Sequence, residues 1–284
     1  MKRVFCLLLC LLALSGLALS AFAEGGVADA SQMAAAEDVT EPGMEPVYAA
    51  DLVDGEYEIA FKCSSSMFRI DKAVLKVDHG RMEVRLIMGS KSFLYVYPGM
   101  AEKAASLGEG EWVAPEENED GAMTFTIPVE ALDAAVPCAA YSKNKELWYD
   151  RDLLFRADSL PAEAFREGFF TTAESLGLAD GDYTVDVSLA GGSGRAGVQS
   201  PARLTVRDGT CTARIVWSSK NYDYMKAAGE KYLPLDGEDN SAFVIPVLHF
   251  DRPMAVIADT VAMSEPHEIS YTLCFDSESL EAVP

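Results

Sequence analysis

The chain has 284 residues, of which 45 are acidic and 23 basic, for a formal net charge of −22. Surfaces this acidic repel phosphate backbones and anionic membranes, whose binding needs clustered Lys and Arg. Nucleic acid and the membrane surface are therefore excluded as partners, while solubility outside the cell is favoured.

The first element is Met1-Lys2-Arg3 followed by an apolar run from Val4 to Phe22, closing on Ala21-Phe22-Ala23 before Glu24. A basic start, an apolar core and a small-x-small site are the three parts of a secretory signal peptide. Residues 1–23 are read as that signal, cleaved after Ala23, which predicts a secreted, extracellular or cell-surface protein. Cys6 and Cys10 lack the preceding small residues of a lipid-attachment site. No later apolar run reaches the roughly 18 residues of a membrane span, so no membrane insertion is expected after cleavage. Residues 24–50 are rich in Ala, Glu, Gly, Asp and Met without either secondary-structure period and read as a flexible linker.

Then one text occurs twice. Asp54-Gly55-Glu56-Tyr57 returns as Asp180-Gly181-Asp182-Tyr183. Ala73 to Gly80 returns as Ala202 to Gly209, Arg85-Leu86-Ile87 as Arg214-Ile215-Val216, and Ser90-Lys91 with Phe93 and Tyr95 as Ser219-Lys220 with Tyr222 and Tyr224. Glu102-Lys103 matches Glu230-Lys231, Phe125 to Val129 matches Phe243 to Val247, and Asp133 matches Asp251. Collinear blocks of this kind mark a duplicated module. Each copy alternates apolar and polar residues in short runs broken by turns, as in Leu75, Val77, Met82, Val84 and Leu86 around Asp78-His79-Gly80. Period two around a Gly-containing turn predicts β-hairpins. The expected fold is all-β: two tandem immunoglobulin-like antiparallel β-sandwiches, module 1 over 51–159 and module 2 over 180–284, joined by a short helical linker over 160–179. Helices are predicted over Met100–Ser106 and, after Pro161, over Ala162–Ser175.

Cys63, Cys138, Cys211 and Cys274 fall two to a half, but not at equivalent repeat positions, and no CxxC or Cys/His cluster suggests structural zinc. Buried free thiols are the preferred reading, and one disulfide per half stays open beside it. His79, His249 and His267 lie far apart, and no GxSxG, HExxH or P-loop occurs. The chain is expected to bind rather than catalyse.

The candidates for binding are aromatic and methionine side chains. Phe93 to Met100 contains Tyr95, and Trp217 to Met225 contains Tyr222, Tyr224 and Met225. Lys62-Cys63-Ser64-Ser65-Ser66-Met67-Phe68-Arg69 places Met67 and Phe68 on a Ser-rich loop, where the second copy has Gly191 to Gly197. Tyr and Met can stack on a porphyrin or ligate its iron axially.

The Asp-Gly-x-Tyr strand, the Ser-rich loop with Met67-Phe68, the Gly-turn hairpin and the final strand ending Phe275-Asp276 resemble, in that order, the near-iron-transporter (NEAT) family of Gram-positive surface proteins. They are also similar to the streptococcal surface haem-binding domain, in which methionines ligate iron. The resemblance covers both copies. It implies an immunoglobulin-like sandwich, haem as cofactor, and surface haem-transfer proteins as partners. Met67 in the first copy and Met225 or Tyr224 in the second would then reach the iron, with Phe68, Tyr95 and Tyr222 lining the site. The family's Tyr-x-x-x-Tyr is not kept: Ser264 to Tyr271 has one tyrosine, and Tyr141 and Tyr149 are wrongly spaced. The alternative expectation is a surface adhesion or structural module that binds protein or glycan.

Overall fold

The computed structural model describes residues 26–33, 38–41, 43–262 and 265–284, so the expected signal peptide lies outside the described residues. The chain is predominantly β-strand, arranged in several sheets. In the first half the principal strands are β1 (Gly55–Ile59), β2 (Phe61–Cys63), β3 (Ile70–Asp78), β4 (Arg81–Met88), β5 (Phe93–Tyr97), β6 (Met123–Val129), β7 (Val136–Ser142) and β8 (Leu147–Phe155). In the second they are β9 (Gly181–Val185), β10 (Val187–Gly191), β11 (Ala202–Arg207), β12 (Thr210–Val216), β13 (Tyr222–Ala227), β14 (Ala242–Pro246), β15 (Met254–Thr260) and β16 (His267–Phe275).

The strand order is the same in both halves. One sheet runs β1-β3-β4-β6 and its counterpart β9-β11-β12-β14; the other runs β2-β8-β7-β5 and its counterpart β10-β16-β15-β13. Each pair of sheets closes on its own apolar core. Leu75, Val84, Leu86 and Ile127 lie in the first core, and Leu204, Ala213, Ile215 and Ile245 in the second, all fully buried. Each large side chain so buried stabilises the fold by roughly 1.5–3 kcal/mol. Period two puts them on one face because successive strand side chains point to opposite sides.

The repeated text has local physical reasons. Asp78 pairs with Arg81, and Arg207 with Thr210, across two-residue turns. Both central residues have positive φ: His79 at 50° and Gly80 at 77°, Asp208 at 50° and Gly209 at 74°. This is the mirror-image turn that matches strand twist. Asp54 accepts the His79 backbone N–H at 3.2 Å, and Asp180 the Asp208 N–H at 3.1 Å. The tyrosine of each Asp-Gly-x-Tyr block ties its strand to the preceding segment: Tyr57 donates to the Val53 carbonyl at 3.0 Å and Tyr183 to the Ala179 carbonyl at 2.8 Å.

The helix expected over Met100–Ser106 forms as α1 (Ala101–Ala105), between Met100 and Ser106 as caps. The one expected over Ala162–Ser175 does not. Only a 3-10 turn, Ala162–Ala164, follows Pro161. Gly168 then takes φ 82°, Thr171 bridges to Phe250, and a separate turn begins where Thr172 and Ser175 cap one another. Phe165, Phe169 and Phe170 collapse together with centroids 4.7–4.8 Å apart, and this contact outweighs the helix propensity of Ala-Glu-Ala. The stretch expected to be a linker also carries anchors. Gly26–Val27 runs parallel beside β8, Val47–Tyr48 pairs with Ala131–Leu132, and Val39 is buried.

Among the described residues Cys63, Cys138, Cys211 and Cys274 are free thiols. Cys63 lies opposite Leu153 and Cys138 opposite Arg151, with β8 between their strands. Two interstrand spacings, about 9–10 Å, exceed the reach of a disulfide. Among the described residues no helix is long and apolar enough to cross a membrane.

Candidate functional site

The six residues predicted to bind are not brought together. Met67 stands alone at the loop tip, 80% exposed. Phe68 turns inward, its ring 5.1 Å from Phe93 and capped by the Arg151 guanidinium at 4.2 Å. Tyr95 faces the outer side of its sheet, beside Trp112 at 5.2 Å. Tyr222 is buried against Trp217 at 4.1 Å, its hydroxyl 3.2 Å from that of Tyr271. Met225 is fully buried, and its sulfur accepts the Trp217 Nε1–H at 3.3 Å. Tyr224 faces outward and donates to Glu268 at 2.6 Å, with the Lys231 ammonium 3.4 Å from its ring centroid.

These placements do not fit haem. An axial ligand needs a free lone pair facing a slot wide enough for a planar ring. The Met225 sulfur is enclosed and engaged, and the Tyr222 hydroxyl is paired inside the core. Met67 has no facing wall in common with the other five, which belong to two cores and two outer faces.

The halves differ most where their second sheets face outward and inward. Tyr95 lies opposite Tyr141, and Tyr141 opposite Trp148; the corresponding chain in the other half is Tyr224, Asp259 and Glu268. The first outer face is aromatic and covered by α1, with Trp112 Nε1 donating to the Ala104 carbonyl at 2.9 Å. The second is charged: Glu268 also takes Lys226 at 2.6 Å. The inner faces differ as sharply. Arg151 is 5% exposed, donates through Nη2 to the Tyr149 carbonyl at 3.0 Å, and leaves Nε and Nη1 without hydrogen-bond partners among the described residues. Burial holds this guanidinium below its ordinary pKa range.

A cleft of about 570 Å³ lies between the two cores. That is within the size range of small-molecule sites. Phe165, Phe169 and Phe170 form one side, and Leu248, Met254 and Ala255 contribute from the second half. His249 stacks on Phe170 at 4.8 Å, and its Nδ1 is buried without a hydrogen-bond partner among the described residues. Burial, with Arg252 nearby, holds the imidazole below its ordinary pKa, so it is neutral at pH 7.

Four carboxylates and two guanidiniums complete the lining. Arg156 donates to Asp158 at 3.0 and 2.7 Å and pairs with Glu41 at 3.1 Å. Burial raises the pKa of Glu41, but Lys62 and Arg156 together outweigh it and keep the carboxyl below its usual range. Arg252 lies over Phe169 at 4.0 Å, donates to the Phe169 carbonyl at 3.2 Å and stands 3.7 Å from Glu45. Asp133 is in no ion pair among the described residues. Burial pushes its carboxyl up to about 6, against a single backbone N–H from Ala157 at 2.9 Å; Asp158 and Glu41 add to the rise and Arg156 opposes it.

Sequence reasoning missed this cleft. Its one local signal was the density of phenylalanine, three in six residues at 165–170, inside a stretch read as a linker. The chemistry available is apolar contact plus hydrogen-bond acceptance. Compared with known proteins, the chain matches no family model and no curated protein.

Proposed function

We propose that this chain is an exported, non-enzymatic binding protein built from two immunoglobulin-like β-sandwich modules, whose binding site is the cleft between them. The signal-like N-terminus supports export to the cell surface or beyond. The shared strand order and the separate cores support the two-module reading. The single observation that carries the binding reading is the cleft of about 570 Å³, walled by Phe165, Phe169 and Phe170. It suits a small molecule with an apolar body.

The test uses the neutral fluorescent probe N-phenyl-1-naphthylamine. The cleft reading expects saturable enhancement at one site, lost in Ala255→Trp, a substitution that fills the cleft from an outward-facing strand position. No saturable enhancement, or enhancement unaffected by Ala255→Trp in a protein of unchanged circular dichroism, overturns it.

A second reading, a surface module that binds glycan, is favoured by Tyr95 and Trp112, which are half-exposed at the edge of the outer aromatic cluster over buried Tyr141. Retention on immobilised cell-wall polysaccharide, abolished by Tyr95→Ala, would support it.

A further inference from the structure

The cleft is unevenly equipped. Its positive charges are already matched: Arg156 is held by Asp158 and Glu41, and Arg252 by the Phe169 ring and carbonyl with Glu45 beside it. Of its four carboxylates Glu41 and Asp158 are matched too, and Asp133 and Glu45 are the two that are not. Asp133 spends one oxygen on the Ala157 N–H and, among the described residues, leaves the other unbonded. Among the described residues the Glu45 carboxylate has only the distant Arg252 contact at 3.7 Å, beyond hydrogen-bond reach. His249 Nδ1 is buried and unpartnered on an imidazole that carries no charge at pH 7.

Four carboxylates against two guanidiniums leave the lining net negative, within a chain of formal charge −22. An anionic ligand would enter against this field and find no free partner. A cation is drawn in by the field and finds acceptors waiting. Asp133 is half-buried, and a partly desolvated carboxylate without an ion pair among the described residues gains from an incoming ammonium.

We infer that the ligand of the cleft is a cationic amphiphile: an apolar body seated on Phe165 and Phe170, with an amine or guanidine head that donates to Asp133 and Glu45. The inference rests on the cleft reading above and deepens it by naming the ligand class.

The experiment compares three probes with one tail, octylammonium, octanoate and octan-1-ol, by isothermal titration calorimetry at pH 7.5 on the full mature chain. The expected result is that octylammonium binds roughly tenfold or more tighter than octan-1-ol, the scale of a hydrogen bond to a charged group, and that octanoate binds weakest. Asp133→Asn should narrow the gap between ammonium and alcohol. Ala255→Trp should remove binding of all three. Equal or tighter binding of octanoate or octan-1-ol overturns the ligand class while leaving the cleft reading intact. An unchanged ammonium preference in Asp133→Asn also overturns it, since the charge is then read elsewhere. Absence of binding by all three overturns the cleft reading and this inference with it.

Discussion

Arg151 and Tyr271 occupy the same place in the two halves. Each lies four residues before the phenylalanine that ends its strand, Phe155 or Phe275, and each faces inward, opposite Cys138 or Val256. One half thus has a guanidinium with two unbonded nitrogens where the other has a phenol hydrogen-bonded to its neighbour. Burying a charge without a counter-ion costs several kcal/mol, and the Phe68 and Phe93 rings return only part of it. Arg151→Met keeps the stem's volume and removes the charge. It should raise stability by about 1–3 kcal/mol, measured by urea denaturation. A loss of stability would mean that the contact with the two rings outweighs desolvation.

The phenol on the other side should behave oppositely. Tyr271→Phe strands the buried Tyr222 hydroxyl, at a cost of about 1–2 kcal/mol. Tyr222→Phe strands that of Tyr271 in turn. The double variant removes both polar groups and should cost less than the two single changes added together. A double-mutant cycle checks this, and additive losses would show that the 3.2 Å contact is not a hydrogen bond.

Met67 and Met225 give the sharpest contrast among the residues that sequence pattern singled out. Met67 is 80% exposed and Met225 fully buried beneath Trp217. Met67→Ala should change stability by less than about 0.5 kcal/mol, whereas Met225→Ala should cost about 2–5 kcal/mol. Thermal melts of the two variants separate the roles. Equal losses would contradict the placement of the Ser64–Phe68 loop.

That contrast shows what pattern reveals here and what it does not. The strands and their repetition are legible because period two and positive-φ turns are local: His79-Gly80 and Asp208-Gly209 announce their hairpins by themselves. Whether an aromatic residue on a strand points into a core depends on partners far along the chain. Tyr222 is inside because Tyr271, 49 residues away, receives it. The linker misleads because Pro161 and Ala-Glu-Ala favour a helix locally, while the competing contact among Phe165, Phe169 and Phe170 forms only when Gly168 reverses the chain. The cleft draws Glu41, Asp133, Phe169 and Arg252 from four separate stretches, so no window of sequence contains it.

Asp133 and Asp251 are equivalent turn residues with opposite proton affinities, which makes stability depend on pH in a way two substitutions can separate. Both have positive φ, 54° and 63°, and both donate their backbone N–H to the closing phenylalanine of the half. Asp251 also accepts the Ser277 N–H and hydroxyl, each at 2.8 Å. Burial raises the pKa of Asp251, but the Ser277 bonds and one from Thr171 outweigh it and hold the carboxyl below its ordinary range. Asp133 faces Ala157 instead of a serine, with Arg156, Asp158 and Glu41 around it, and burial prevails up to about 6. Below pH 4 the folded and unfolded chains both hold a proton on Asp133. Between about 4 and 6 the folded chain holds it and the unfolded chain has released it, so stability falls as pH rises through this window. Above 6 the penalty is complete, on the order of 3 kcal/mol. Asp133→Asn tolerates the same φ and keeps an acceptor for Ala157. It should therefore raise the melting temperature at pH 7.5, leave it nearly unchanged at pH 4, and flatten the decline between. Asp251→Asn should do the reverse, lowering the melting temperature at pH 7.5, because a depressed carboxyl stabilises the fold above its unfolded pKa and loses that effect only as acid protonates it. Melting curves of both variants from pH 4 to 8 check the pair, and a higher melting temperature for Asp251→Asn at pH 7.5 would show that the Ser277 bonds do not compensate its burial.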